Sequence, residues 1–445
     1  MKPSRLLLTV ILALGLTLAL LWMLRALSSP ALAEVGLAPA PPSLARQHDP
    51  VVIAGGLLPD LTGSSLDEIF VYAYQGTTPT QIPFQIDERD EGGLYVPVED
   101  GQLDDNDELV LMVADGGAWV DLPWLNAGDM SISPAYVITL TDPISDTYAW
   151  VYVFRSAALS RTFTTDYVSY DAGDDRVMSS GRYALGFSPT HGFVDYLALG
   201  DGSPDLLDRS KLRVTGTVET LFGTIPLYLD EEDITQDDLQ VIDGPVRVTR
   251  FSTITLSIAP GVSAQRTYAL LAYHSLVVQP TPFSVLGAPF QIDHLRTSMD
   301  WSEQASGMTY YDANNPTGTD VDGTPDVITV TPATRWTQVT GITGTVVNVS
   351  EIPAGLGGAQ STYYKDDDTL DTGDTGDQRS YGDAGVQVDE PNPGSYTLLA
   401  HIYFLTETAA NVGATYVGYC DEPVQVSVAP VTVHHIYLPF VTKGG

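Results

Sequence analysis

Residues 246–258 place mostly apolar side chains at every second position. Every second position from Val246 reads Val, Val, Arg, Ser, Ile, Leu and Ile. Because successive side chains of a β-strand point to opposite faces of the sheet, these positions share one face, and the stretch predicts a long strand with an apolar side. Arg250 falls on that side, so it needs a carboxylate partner or a bulge that turns it outward.

Short β-prone segments separated by Gly, Pro, Asp and Asn fill most of the remaining chain, and helical periodicity is almost absent. This pattern predicts an all-β protein: a large antiparallel β-sandwich, extending to supersandwich size, with a smaller β domain before it. The predicted strands comprise residues 69–74, 82–86, 94–98, 109–113, 136–141, 148–154, 265–278, 341–352 and 396–405.

The first 33 residues have the pattern of an export signal. Lys2 and Arg5 precede an uncharged apolar run at 6–24, and the small-residue site Ala31-Leu32-Ala33 follows. The run is also close to membrane-spanning length, so an uncleaved N-terminal anchor is the alternative. Either way we expect the rest of the chain outside the cytoplasm, secreted or at the cell surface.

Composition divides the remaining chain into four parts. An Ala- and Pro-rich linker precedes the first β domain, and a polar loop interrupts the second. The predicted parts are a linker at 34–50, an N-terminal β domain at 51–156, a large sandwich at 157–430 with an Asp-rich loop at 366–383, and a tail or last strand at 431–445.

Charge narrows the range of partners. The chain has 56 acidic and 20 basic residues, a formal charge of −36. Repulsion of this size argues against nucleic acid and against anionic membrane surfaces, leaving an uncleaved N-terminal segment as the only predicted membrane contact. Cys420 is the single cysteine, so no intramolecular disulfide forms.

Three clusters of acidic and amide side chains lie in predicted turns, where their oxygens are the ligands that Ca²⁺ prefers. Solvation of a surface loop explains such clusters equally well. None completes an EF-hand loop, and no Cys/His set has zinc spacing. The candidate calcium ligands are Asp104 and Asn106 in the first cluster, Asp320, Asp322 and Asp326 in the second, and Asp371, Asp374 and Asp377 in the third.

Most enzyme signatures are missing. Ser188 and His191 lack the Gly-x-Ser-x-Gly elbow of a hydrolase, and no phosphate-binding or dinucleotide-binding loop is found. Adjacent acids such as Asp87 and Glu88, or Asp230 and Glu231, leave glycoside hydrolysis open, because only their separation across a cleft would be informative. Tryptophans whose rings could stack on a sugar, or else pack in the core, are Trp119, Trp124, Trp150, Trp301 and Trp336.

A five-residue sequence occurs twice. Pro-Phe-Gln-Ile-Asp is found at 83–87 and again at 289–293, each time ahead of a tyrosine and an Asp-rich turn. A duplicated module and a shared strand-to-turn geometry both explain the pair.

The segment Asp243-Gly244-Pro245-Val246-Arg247-Val248 resembles the Gly-Pro-Val-Arg strand opening found in large β-sandwich domains of carbohydrate-active proteins, including some polysaccharide lyases. The chain as a whole resembles exported bacterial β-sandwich proteins of unassigned function. In the lyases a Tyr, His or Arg of the sandwich cleft moves the proton. The resemblance therefore implicates Arg250, Tyr268 and His274 by strand position.

Together these patterns favour an exported, non-catalytic binding or structural protein that interacts with extracellular polysaccharide and is stabilised by calcium. The first alternative is a secreted polysaccharide lyase or glycosidase, with converging Arg, His, Tyr or carboxylate groups. The second is a cell-surface or filament subunit that self-associates through edge strands. A binder predicts instead a coplanar row of exposed tryptophan and tyrosine rings.

Overall fold

The computed structural model describes residues 44, 46–76, 78–120, 135–259 and 261–431. These residues belong to one compact unit, Pro41–Gly445. They form antiparallel sheets with a single α-helix, which confirms the predicted all-β class. Within them, no helix is long and apolar enough to cross a membrane.

Strands dominate the chain from Pro50 onward. The first half contains β1 (Pro50–Ala54), β2 (Ile69–Gln75), β3 (Thr78–Gln81), β4 (Gln85–Asp87), β5 (Glu108–Met112), β6 (Ala135–Asp142), β7 (Thr147–Arg155), β8 (Ser169–Asp171), β9 (Arg176–Ser179), β10 (Tyr183–Phe187), β11 (Val194–Leu199), β12 (Leu207–Thr220) and β13 (Gly223–Asp230).

The second half contains β14 (Ile234–Asp243), β15 (Val248–Ala259), β16 (Val262–Ala272), β17 (Leu276–Val285), β18 (Phe290–Trp301), β19 (Met308–Asp312), β20 (Thr319–Val321), β21 (Trp336–Gly341), β22 (Gly344–Glu351), β23 (Ala359–Asp367), β24 (Ser380–Asp389), β25 (Gly394–Leu405), α1 (Gly413–Asp421) and β26 (Gln425–Pro430). Short 3-10 turns lie at Gly55–Leu57, Pro59–Leu61, Leu66–Glu68, Val113–Asp115, Glu231–Asp233, Glu303–Ala305 and Ala354–Leu356.

The N-terminal part consists of two packed sheets. One has the order β1-β5-β4, and the other has the order β26-β6-β7-β2-β3. Alternate residues of their strands form one hydrophobic cluster that includes Ile53, Val71, Leu109, Ile138 and Val151. Strand β26 pairs with β6, so the C-terminal end of the described chain completes the N-terminal sheet.

The larger part is a sandwich of a five-stranded sheet, β13-β12-β18-β24-β23, and a nine-stranded sheet, β14-β15-β16-β17-β25-β22-β21-β19-β20. A four-stranded sheet, β11-β10-β9-β8, contributes to the same core. Leu185, Trp301, Tyr310, Val339 and Phe404 are among the buried residues of that core. The described residues form one unit, and β26, from the end of the chain, pairs with β6 of the N-terminal sheet. The predicted domain boundary near Ser156 therefore stays a prediction.

Arg247 joins the small sheets to the large sandwich. Its buried guanidinium is paired with Asp87 and Glu108, and its backbone N–H donates to the side chain of Gln85. Its Nη1 donates a hydrogen bond to the Tyr273 hydroxyl over 3.2 Å. The Gly-Pro-Val-Arg segment is therefore a structural joint in this fold.

Three predicted strands were wrong. Of residues 82–86, only Gln85 and Ile86 lie in a strand, because residues 82–84 connect β3 to β4. Residues 265–278 form two strands, β16 and β17, because Tyr273 N–H bonds to the Leu276 carbonyl and reverses the chain there. Residues 94–98 form only an isolated bridge at Tyr95, and Leu94 is exposed. The predicted signal or anchor, the tail at 432–445 and Trp124 lie outside the described residues.

The two Pro-Phe-Gln-Ile-Asp copies share a local geometry. In each copy the glutamine amide donates a hydrogen bond to the aspartate two residues later. The distance is 2.5 Å from Gln85 to Asp87 and 3.3 Å from Gln291 to Asp293. Their sheets differ, since β4 is an edge strand of three residues and β18 is a central strand of twelve. A shared strand geometry accounts for the contact in both copies.

Candidate functional site: an exposed aromatic platform

The alternation of β7 sets the direction of its aromatic rings. Ala149, Val151 and Val153 point into the N-terminal core. Because neighbouring residues of a strand face opposite sides, Tyr148 and Trp150 lie on the outer face of the five-stranded sheet. Tyr148 is 40% exposed and Trp150 is half-buried.

A third ring completes the group. Trp119 is 42% exposed and lies beside Trp150, with ring centroids 6.1 Å apart and planes at 68°. The rings of Tyr148 and Trp150 are 6.2 Å apart and nearly parallel, at 18°. We call Trp119, Tyr148 and Trp150 the aromatic platform.

Gly117 brings Trp119 against the sheet. Its backbone exchanges two hydrogen bonds with Trp150, of 3.0 and 2.9 Å. A Cβ at this position would lie 2.5 Å from the carbonyl oxygen of Tyr74, so the close approach requires glycine. The loop that carries Trp119 is thus fixed by backbone contacts to the sheet.

Polar side chains border the platform on one side. Thr139 and Thr141 of β6 lie directly opposite Trp150 and Tyr148. Ser427 and Gln425 of β26 lie opposite those two threonines in turn. Directly paired residues share a face, so hydroxyl and amide groups continue the outer surface next to the rings.

The phenol of Tyr148 is held by a neighbouring acid. Its O–H donates a 2.8 Å hydrogen bond to Asp146, and this bond raises the pKa of Tyr148. The ring therefore stays neutral at physiological pH and has a defined orientation. The arrangement offers apolar ring surface beside hydrogen-bonding groups.

Two further tryptophans of the described residues have core roles. Trp301 and Trp336 are buried, each in a separate hydrophobic cluster. Of the five tryptophans proposed from the sequence as sugar-stacking residues, Trp119 and Trp150 meet in one exposed group. Tyr148 was missed, because only the register of β7 shows which side of the sheet it faces.

Arg250 is paired as its position on an apolar face requires. It donates to Asp175 over 3.0 and 2.7 Å and to Gln236 over 2.9 Å, and its guanidinium lies over the ring of Phe187. Tyr268 lies nearby on the same face of the sheet and donates to the Gly192 carbonyl over 2.7 Å. Both side chains are buried.

His274 lies in the turn after β16, in a different group. Its Nδ1 is 3.0 Å from the Ser179 hydroxyl, and Arg182 donates to its Nε2 over 3.3 Å. Burial and the nearby Arg182 charge lower the pKa of His274, and the same two causes lower that of His48. The three residues implicated by the lyase resemblance therefore have separate structural partners, and their predicted role stays a prediction.

The first acidic cluster is organised by backbone contacts. Asn106 donates to the carbonyls of Arg89 and Asp90 over 2.7 and 2.8 Å. The N–H of Asp104 donates to Asp107 over 2.7 Å. Its side chains thus shape the turn between β4 and β5.

The acids of the second cluster influence one another electrostatically. Burial, followed by the charges of Asp322 and Asp320, raises the pKa of Asp326. Asp366 accepts the N–H groups of Asp322 and Gly323 over 2.9 and 3.0 Å, which orients the loop. Among the described residues, no three His, Cys, Asp or Glu side chains converge as a metal site. Calcium binding here stays a prediction.

The third cluster contributes to an ion-pair network. Asp374 accepts from Lys211 over 2.8 Å and from Arg213 over 2.5 Å. Burial alone would raise the pKa of Asp374, but these two hydrogen bonds lower it well below its usual range. Asp371 lies 3.7 Å from Lys365, and Asp377 accepts the Arg379 N–H over 2.8 Å.

Lys211 also pairs with Asp300 at 2.5 Å, deep in the five-stranded sheet. Burial and the nearby Asp383 raise the pKa of Asp300. Both carboxylates are fully buried.

The carboxylates considered for glycoside hydrolysis also have structural partners within the protein. Asp87 binds Arg247, and Glu88 accepts the N–H groups of Asp100 and Gly101 over 3.0 and 2.7 Å. Glu231 is buried against Arg213 at 2.5 Å. These acids serve as structural acceptors.

No protein-family model matches the sequence, and no curated protein matches it. Among solved structures, an alpha-mannosidase from Enterococcus faecalis V583 is similar, with a TM-score of 0.43 and 10% identity over 87% of this chain and 44% of that enzyme. The alpha-N-acetylgalactosaminidase NagBb from Bifidobacterium bifidum, in its GalNAc complex, gives a TM-score of 0.35 and 11% identity over 55% of this chain and 38% of that one. The chain thus spans less than half the length of these enzymes.

Proposed function

We propose that this protein is an exported, non-catalytic binder of neutral extracellular polysaccharide, and that the aromatic platform is its binding surface. The observation that carries the proposal is the grouping of Trp119, Tyr148 and Trp150 on one sheet face, where, among the described residues, Trp119 is 42% and Tyr148 40% exposed. Aromatic rings pack against the apolar C–H face of a pyranose, while neighbouring hydroxyl and amide groups bond to the sugar hydroxyls.

The rigidity of the platform supports this role. Tyr148 and Trp150 belong to a central strand, and Trp119 is tied to that strand through Gly117. A site built on a strand loses little conformational entropy when a ligand binds. Thr139, Thr141 and Ser427 supply hydrogen-bonding groups alongside the rings.

Charge favours a neutral ligand. A formal charge of −36 repels polyuronates and sulfated glycans, whereas an uncharged polysaccharide meets no such barrier. Binding through stacking and neutral hydrogen bonds also depends little on salt. The proposal therefore predicts similar affinity at low and high ionic strength.

The test is a binding panel with the full chain. Cellulose, chitin, xylan, mannan and a soluble β-glucan are the neutral members, and polygalacturonate and alginate are the acidic ones. We expect saturable binding to at least one neutral polysaccharide and none to the acidic pair. Release of reducing ends or unsaturated products would show catalysis, and failure of every neutral polysaccharide would refute the proposal.

A further inference from the structure

The large sandwich contains a cavity of about 320 Å³ between its two sheets. Small-molecule sites commonly occupy about 300–1,000 Å³ and are lined mainly by apolar side chains. Strands β12, β13 and β18 line one side, and β15, β16, β17 and β25 line the other. The cavity lies in a different part of the fold from the aromatic platform and is independent of the polysaccharide proposal.

Aliphatic side chains form most of its wall. Several of them are only half-buried although they lie on the inner faces of the sheets, so the facing layers do not cover them. Uncovered apolar surface of this kind favours an apolar occupant. The half-buried aliphatic residues of the wall include Ile254, Leu256, Leu295 and Leu398.

The nine-stranded sheet opens beside this cavity. Strands β16 and β17 pair only at Leu271–Val278 and Ala272–Val277. By contrast, β17 pairs with β25 along its whole length. The outer part of β16 therefore separates from β17 and leaves a lateral entrance.

Arg266 lies at this entrance. Its Nη2 donates to the Ser284 hydroxyl over 2.6 Å, across the gap between β16 and β17. The side chain is exposed, lines the cavity and forms no salt bridge with a described carboxylate. Its charge is therefore available to an anion at the mouth of the cavity.

We propose that the cavity binds a long-chain fatty acid. Its aliphatic chain lies between the sheets, and its carboxylate is held by the Arg266 guanidinium. Gln279 and Thr281 extend into the cavity from β17 and make no side-chain hydrogen bond to the described protein, so they are available to the carboxylate or to water. Arginine suits this role because its planar fork donates two parallel bonds to a carboxylate.

The test uses the full chain, delipidated and free of detergent, titrated calorimetrically with oleate and with oleyl alcohol. We expect one saturable oleate site. Arg266→Gln weakens oleate about tenfold, since one charge-assisted contact is lost, and leaves oleyl alcohol unchanged. Arg379→Gln is the matched control, because Arg379 is also exposed but lies outside the cavity lining.

A second variant fills the cavity. Ala400 points into it from β25 opposite Gln279, and Ala400→Phe removes the volume that the chain occupies. We expect loss of both ligands with an unchanged circular dichroism spectrum, and Thr281→Phe gives the same test from β17 if that variant does not fold. Absence of saturable oleate binding, or binding that Arg266→Gln and both filling variants leave unchanged, would overturn the proposal.

Discussion

Arg247 donates a 2.8 Å hydrogen bond from Nε to the carboxylate of Asp87, a residue 160 positions earlier in the chain. Both side chains are fully buried. Glu108 contributes a second carboxylate at 2.8 Å, and the ring of Tyr95 lies against the guanidinium. One arginine thereby links the three-stranded sheet to the start of the long strand β15.

Replacing Arg247 is expected to destabilise the fold strongly. Arg247→Met leaves Asp87 buried and unpaired, and removing one member of a buried pair costs about 3–5 kcal/mol. Arg155→Met is the control, because the Arg155–Glu68 pair at 2.7 Å is exposed and should contribute less than about 1 kcal/mol. Urea unfolding measures both. Equal effects of the two variants would show that the joint is not a main support of the fold.

Asp115 is expected to make stability depend on pH. Burial raises the pKa of Asp115 to about 6, although the hydrogen bond from Tyr167 by itself lowers this pKa. The folded state therefore holds a proton that the unfolded chain, with a pKa of about 3.9, releases first. The stabilising contribution is complete below about pH 4 and is lost as the pH rises through about 6.

Asp115→Asn removes this titration. Between pH 4 and pH 7 the unfolding free energy of the variant should rise relative to that of the wild type by on the order of 1–3 kcal/mol. Asp67→Asn, at an exposed position, is the control and should show no such trend. Parallel pH profiles for the wild type and Asp115→Asn would contradict the assignment.

Calcium is expected to stabilise the loop that contains Asp320, Asp322 and Asp326. A cation would relieve the repulsion that helps to raise the pKa of Asp326. Millimolar calcium should therefore raise the melting temperature by several degrees, and a chelator should reverse the shift.

Two variants separate this loop from the other clusters. Asp322→Asn should abolish the calcium shift, whereas Asp371→Asn, in the third cluster, should retain it. An unchanged melt in the wild type would refute calcium binding by the native state.

The sequence predicted β6, β7 and β25 well, because each alternates regularly between flanking turns. The reversal at Tyr273 was missed since Tyr-His-Ser lacks the Gly, Pro or Asn that marks most turns. The partner of Arg250 was predictable as a type but not as Asp175, which is 75 residues away. Long-range pairing decides such contacts, and local patterns do not contain it.

For the candidate sites too, local patterns were predictable from the sequence and long-range contacts were not. Trp119 and Trp150 were recognisable as ring surfaces, but their meeting depends on Gly117 and on the register of β7 with β6. The cavity depends on the separation of β16 from β17, which the alternating pattern of both strands conceals. Residue types were therefore readable from the sequence, whereas their convergence required the sheet topology.

The most direct test of the polysaccharide proposal compares platform variants on a neutral polysaccharide that the wild type binds. Trp150→Ala and Tyr148→Ala should each raise the dissociation constant at least tenfold, because loss of a central aromatic contact costs about 2 kcal/mol or more. Tyr228→Ala is the matched control, since Tyr228 is 73% exposed on β13, away from the platform. Wild-type affinity in both platform variants would contradict the account.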